Sequence, residues 1–193
     1  MPSKFDPKKH HRRSIRLQGY DYAQPGAYYV TIVTWYRECL FGEVVNGEMV
    51  LSKFGLVAKQ EWERLKRRFP NIELGAFIIM PNHMHGIIII IPGRGTAERS
   101  TDKVIPISRR APTREGFQKP VKGSIPTIIR SYKSAVAYQI NLMRRTQGVP
   151  LWQRNYYEHI IRNAQDLQNK TDYIEANPML WDEDDENPLN IKL

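Results

Sequence analysis

Two histidines one residue apart, His83 and His85 in Pro81-Asn82-His83-Met84-His85-Gly86, stand directly before five consecutive isoleucines, Ile87 to Ile91. Side chains alternate faces along a strand, so both imidazoles point the same way, roughly 6 to 7 Å apart along the chain, with Met84 opposite. Two imidazoles placed like this can converge on one metal ion. Ninety residues later, Tyr173 and Asn177 are four positions apart and share a helix face. Tyrosine offers a nucleophilic oxygen, and the asparagine amide offers an oxygen ligand for a hard cation such as Mg²⁺ or Mn²⁺. His83, His85 and Asn177 around an open coordination position suit a metal that polarises a phosphodiester rather than a closed structural site.

The phenol needs such help. With a pKa of about 10 it is only on the order of a thousandth ionised at neutral pH, so the metal must neutralise the phosphate and hold it in line. A covalent phosphotyrosine keeps the phosphodiester energy, and the cut strand can be rejoined elsewhere. Tyr156 and Tyr157 are rival phenols, of which only one can face the site from a strand. His159 is open to a structural role, a role behind the ligands, or a DNA contact. Tyr28, Tyr29, Tyr132 and Tyr138 read as core or sheet-face aromatics.

The remaining composition narrows the partner. The 193 residues carry 29 Lys and Arg against 20 Asp and Glu, a net charge of +9 that favours a polyanion, most commonly nucleic acid. The single cysteine, Cys39, excludes an intramolecular disulfide and a cysteine-based zinc cluster, and fits a reducing cytoplasm. No apolar run approaches the roughly 20 residues of a membrane helix. Positive charge concentrates in two stretches. Residues 1–19 form a basic arm with Lys8, Lys9, Arg12 and Arg13, and the Gly- and Pro-rich loop 92–122 contains Arg109, Arg110 and Lys122. Together with Arg130, Lys133 and Arg154, these are the expected phosphate contacts. Residues 181–193 are instead acidic, through Asp182 to Glu186, and read as a solvated tail or as a segment competing with DNA.

The elements that must position these groups follow in order. Ala27 to Trp35 is dense in β-branched and aromatic residues and predicts a strand. Asn46-Gly47 between two short apolar runs predicts a hairpin. Ser52 caps a helix running to about Phe69, stopped by Pro70. Strands over 72–80 and 83–91 flank the Pro81-Asn82 turn. Ser124, with Pro126 in the first turn, opens a helix to about Arg144. Leu151 to Ile161 predicts a last strand, straight or bulged, and Asn163 caps a helix to about Asn177, ended by Pro178. This order predicts an α+β fold: a ferredoxin-like antiparallel sheet with helices on one face and an added C-terminal helix carrying the nucleophile.

Met80-Pro81-Asn82-His83-Met84-His85-Gly86 resembles the His-hydrophobic-His motif of the single-tyrosine transposases of the IS200 type. The stretches from Trp152 to Asn163 and from Asp172 to Pro178 are similar to the REP-associated branch of that family. The resemblance spans roughly residues 20–180 and implies a catalytic domain over that range, with the basic loop inserted. It implies a divalent-metal-dependent nuclease and strand transferase that acts on single-stranded DNA, often folded hairpins, through a 5′-phosphotyrosine. It makes His83 and His85 metal ligands, Asn177 the third ligand and Tyr173 the nucleophile. A homodimer would allow two strand ends to be handled together. Two other readings stay open: a non-enzymatic single-stranded DNA- or RNA-binding module on a ferredoxin-like sheet, and a hydrolase using metal-activated water.

Overall fold

The computed structural model describes residues 20–92 and 121–190. Lys8, Lys9, Arg12, Arg13, Arg109 and Arg110 lie outside the described residues, as does nearly all of the 92–122 loop. In chain order the elements are β1 (Gly26–Val33), the hairpin β2 (Gly42–Val45) and β3 (Glu48–Leu51), α1 (Lys53–Glu63), α2 (Leu65–Arg68), β4 (Ile72–Ile79) and β5 (His83–Ile90). They continue with α3 (Ile125–Arg144), β6 (Tyr157–Ile161) and α4 (Ala164–Ala176). Short 3₁₀ turns occupy Trp35–Arg37, Asn177–Glu183 and Pro188–Asn190.

The main sheet has the order β4-β5-β1-β6, antiparallel at each junction. The first strand lies between the third and last of the four, the interleaved arrangement of a ferredoxin-like fold. Alternation on β5 then sorts the residues by face. Met84, Ile88 and Ile90 join Tyr28, Val30 and Ile32 in the core that α1 and α3 cover with Trp62, Ile129, Tyr132 and Val136. Residues of the opposite face, Tyr29, Ile87 and Ile89, pack with Ile174 and Leu167 of α4. The C-terminal helix therefore covers the side of the sheet that α1 and α3 leave open, and His83 and His85 face it.

Gly86 sits between these faces for a steric reason. A Cβ there would come within 2.4 Å of the Trp62 ring, so only glycine lets α1 lie against β5 directly beside His85. Gly86→Ala should destabilise the fold by about 2 kcal/mol, a loss of roughly 4 to 8 °C in Tm for a chain of this size. Thermal unfolding followed by circular dichroism checks this; an unchanged Tm would mean that Trp62 moves aside freely.

Several boundaries differ from expectation. The helix capped by Ser52 breaks at Arg64 into α1 and α2. The last strand begins only at Tyr157, and of the residues before it Trp152 makes a lone bridge to Thr34. Lys133 explains this. Its ammonium donates to the carbonyls of Gln153, Arg154 and Asn155 at 2.6, 3.4 and 3.2 Å, and these carbonyls then do not join a sheet ladder. Tyr138, expected as a core or sheet-face aromatic, is exposed on α3.

The acidic stretch expected as a solvated tail folds back. Pro178 ends α4 but permits the 3₁₀ turn Asn177–Glu183, after which the Asp184 side chain is only 6 % exposed and Asn187 is buried. Glu186 pairs with Arg37 at 2.7 Å. Arg37 and its neighbour Tyr36 both adopt left-handed backbone conformations, φ 56° and 52°. For non-glycine residues each costs about 1 kcal/mol or more. Among the described residues no helix is long and apolar enough to cross a membrane.

Candidate active site

The Pro81-Asn82 turn delivers His83 and His85 to the start of β5, where both are buried, at 0 % and 3 % exposure. Their Nε2 atoms lie 3.0 Å apart. Each ring is fixed through its other nitrogen. His83 Nδ1 meets Asn82 Oδ1 at 2.9 Å, and the Asn82 amide group donates in turn to the carbonyls of Glu186 and Arg37 at 2.7 and 3.2 Å. His85 Nδ1 lies 2.7 Å from the Tyr29 hydroxyl and 2.9 Å from Thr31 Oγ1, as expected from the pairing of Thr31 with His85 across β1 and β5. Asn82 Oδ1 can only accept, so His83 carries its proton on Nδ1 and turns the Nε2 lone pair to His85. The Tyr29 and Thr31 hydroxyls can accept from His85 Nδ1–H in the same way, the tautomer in which both Nε2 lone pairs converge on a metal.

Electrostatics favour the same state. Burial pushes the His83 pKa down to about 4, partly offset by the Asp184 carboxylate and the Asn177 amide. Burial, His83 and Lys170 hold His85 well below its ordinary range. Both rings are neutral at neutral pH, as metal ligands must be.

Oxygen donors come from the turn after α4. Asp184 Oδ2 is 3.9 Å from His83 Nε2, and His83, His85 and Asp184 offer ligand atoms within 4.8 Å of one another. Asn177 is 1 % exposed; its amide group donates to Asp184 Oδ2 at 3.2 Å, while its Oδ1 is buried with no hydrogen-bond partner. An orphaned carbonyl oxygen of this kind is costly unless something binds it. Two nitrogens, a carboxylate and a free amide oxygen fit a divalent cation. Mixed imidazole and oxygen donors of this kind suit such an ion.

Tyr173 stands beside this group on α4. Its ring centroid is 5.3 Å from that of His85 and 6.4 Å from that of Tyr29, and the residue is 42 % exposed. Burial first, and then the charge of Asp184, raise its pKa, while the Asn177 amide lowers it. Tyr173 and His85 line a cavity of about 360 Å³ together with Tyr157, Lys170 and Asp184 to Glu186. Of the rival phenols, Tyr157 lines this cavity, whereas Tyr156 packs against the core of the other face.

Several expected residues take other positions. Lys133 is held by three carbonyls and desolvated until its pKa falls to about 8, so it serves the 153–155 loop and is not free for phosphate. Lys122, Arg130 and Arg154 are exposed. His159 pairs with Asp166 at 2.9 Å and ties β6 to the first turn of α4, which Asn163 caps. Asp184, Lys170, Asn82 and Thr31 are the site residues that sequence reasoning did not single out. Lys170 was within reach, because it is three positions before Tyr173 and shares its helix face.

No family model matches the chain. An uncharacterised protein of Haemophilus influenzae is 40 % identical over 188 residues, covering 95 % of this chain and 97 % of that protein. Among solved structures, a REP-associated tyrosine transposase bound to a REP hairpin superposes with a TM-score of 0.55 at 20 % identity, covering 87 % of this chain and 73 % of that one. The chain belongs to one family with the Haemophilus influenzae protein, and its fold is that of the REP-associated tyrosine transposase.

Proposed function

We propose that this protein is a metal-dependent single-stranded DNA endonuclease and strand transferase, which cuts hairpin-forming DNA with Tyr173 as nucleophile. The observation that carries the reading is the convergence of two neutral, buried Nε2 atoms on one point, with the Tyr173 phenol beside them on a separate element. His83 and His85 would hold a Mg²⁺ or Mn²⁺ ion, with Asn177 Oδ1 and Asp184 as the oxygen donors at hand. When bound, the ion supplies charge neutralisation and Lewis-acid polarisation of the phosphodiester.

The chain's own residues do the rest. Asn82, Tyr29 and Thr31 fix the imidazole orientations. Tyr173 enters as a protonated phenol, since burial and Asp184 raise its pKa. Its oxygen forms a bond to phosphorus as the bond to the 3′ oxygen breaks, giving a 5′-phosphotyrosine and a free 3′-hydroxyl. The phenolic proton leaves as the bond forms, and the departing 3′ oxygen takes up a proton from water, so the step is proton-neutral overall. Lys170, the ammonium among the cavity-lining residues, offsets the carboxylates of Asp184 to Glu186 that a phosphate meets there. Lys122, Arg130 and Arg154 are available to the flanking backbone. Residues 20–180 form the catalytic domain in this reading, with the 181–190 segment joined to its site rather than trailing from it.

A plain sheet-surface binding module is disfavoured by the architecture. Such modules stack bases on an open sheet face, and here α1 and α3 cover one face while α4 packs on the other. The test is cleavage of labelled hairpin DNA from the flanks of the protein's own gene. The expected result is cutting with Mg²⁺ or Mn²⁺ and none with a chelator. Chelator-resistant cutting would exclude the metal, and tight binding without cutting under any metal would exclude the enzyme.

A further inference from the structure

Thr34 to Glu38, the turn that follows β1, carries an unusual combination. Tyr36 and Arg37 are consecutive non-glycine residues in the left-handed region, at φ 52° and 56°. Tyr36 is 86 % exposed, so its ring makes little use of the fold, yet it stands 5.0 Å from the ring of Trp35, itself 38 % exposed. The conformation is held from several sides. Trp35 N–H donates to the Leu151 carbonyl at 2.8 Å, Thr34 Oγ1 donates to the Glu38 carbonyl at 2.9 Å, and the Arg37 guanidinium holds Glu186 at 2.7 Å. Asn82 binds the Arg37 carbonyl at 3.2 Å and, through its own oxygen, His83 Nδ1 at 2.9 Å. Two hydrogen bonds therefore connect this aromatic turn to the candidate metal site.

Backbone strain that its surroundings enforce clusters at active sites and ligand clamps, and here it ends in a solvent-facing aromatic pair. Glycine would adopt the same backbone at position 36 without cost. We propose that Trp35 and Tyr36 form a stacking platform for an unpaired base of the DNA strand, near the phosphate that enters the His83–His85 site. This rests on the DNA-processing reading above. An unpaired base fits the platform because Trp35 and Tyr36 offer two exposed ring faces and Asn82 ties their turn to the proposed phosphodiester site. Stacking on exposed rings is tolerant of sequence, so the platform would hold the strand in place without choosing its bases.

The strain itself supplies the test. Tyr36→Gly removes the ring and relaxes the backbone, so its Tm should be unchanged or a few degrees higher. Its affinity for a labelled single-stranded oligonucleotide, measured by fluorescence anisotropy in chelator to prevent cutting, should fall roughly 5- to 150-fold. Tyr36→Phe should bind like the wild type. A scan with oligonucleotides abasic at successive positions should find one base whose loss weakens the wild type but not Tyr36→Gly. Equal affinity in Tyr36→Gly would overturn the platform and leave the nuclease reading standing; equal affinity with a lower sedimenting mass would give the pair to a second copy of this chain. A large fall in Tm would make the turn structural. Failure of the wild type to bind any single strand would instead sink the DNA-processing reading itself.

Discussion

Tyr173→Phe is expected to abolish the covalent protein–DNA product and lower strand cleavage by on the order of a thousandfold or more, while DNA affinity stays within a few-fold. The substitution removes one oxygen and keeps the ring that packs 5.3 Å from His85 and 6.4 Å from Tyr29, so the fold and the cavity survive. Tyr157→Phe is the matched control, because Tyr157 lines the same cavity and is 51 % exposed. It should retain the adduct. A denaturing gel of labelled hairpin DNA separates the outcomes: cutting without an adduct in the wild type would indicate activated water, and an adduct persisting in Tyr173→Phe would move the nucleophile to Tyr157.

The second large effect concerns the metal. His85→Gln removes an imidazole whose Nε2 is 3.0 Å from that of His83, and should weaken Mn²⁺ binding by on the order of a hundredfold or more. Asn82→Ala leaves both ligands but frees the His83 ring from the oxygen 2.9 Å away; losses from such supporting positions run about 10- to 100-fold. Asp184→Asn and Asn177→Ala separate the two oxygen donors, since the Asn177 Oδ1 is the orphan while Asp184 brings the charge. Titration calorimetry with Mn²⁺ and no DNA reads all four variants without reference to catalysis. Wild-type affinity in His85→Gln would remove the histidines from any metal role.

Much of the scaffold was legible because its signals are local. Period-two alternation placed His83 and His85 on one face, Asn46-Gly47 announced the hairpin, and Ser124 with Pro126 marked the start of α3. The shared face of Tyr173 with Asn177 came from helix spacing alone. What stayed hidden depends on contacts distant in sequence. Asp184 lies within a run of five acids that composition marks as solvated, and only the 3₁₀ turn after Pro178 returns it to His83. Asn82 was legible as a turn former but not as the group that orients His83, since that requires Arg37 and Glu186 to be in place. Lys133 looked available for phosphate because it lies off the apolar stripe of α3; three carbonyls of a loop twenty residues on claim it instead. Thr31 needed the register of β1 against β5, which no local pattern supplies.

The central claim is that one phenol, Tyr173, takes the DNA phosphate. The most direct test is to incubate wild-type protein with Mn²⁺ and hairpin DNA, digest protein and DNA, and locate the nucleotide by peptide mass spectrometry. A nucleotide on the peptide containing Tyr173, at that side chain, is the predicted result. A nucleotide on Tyr157, or cleaved DNA with no modified peptide, would contradict the account.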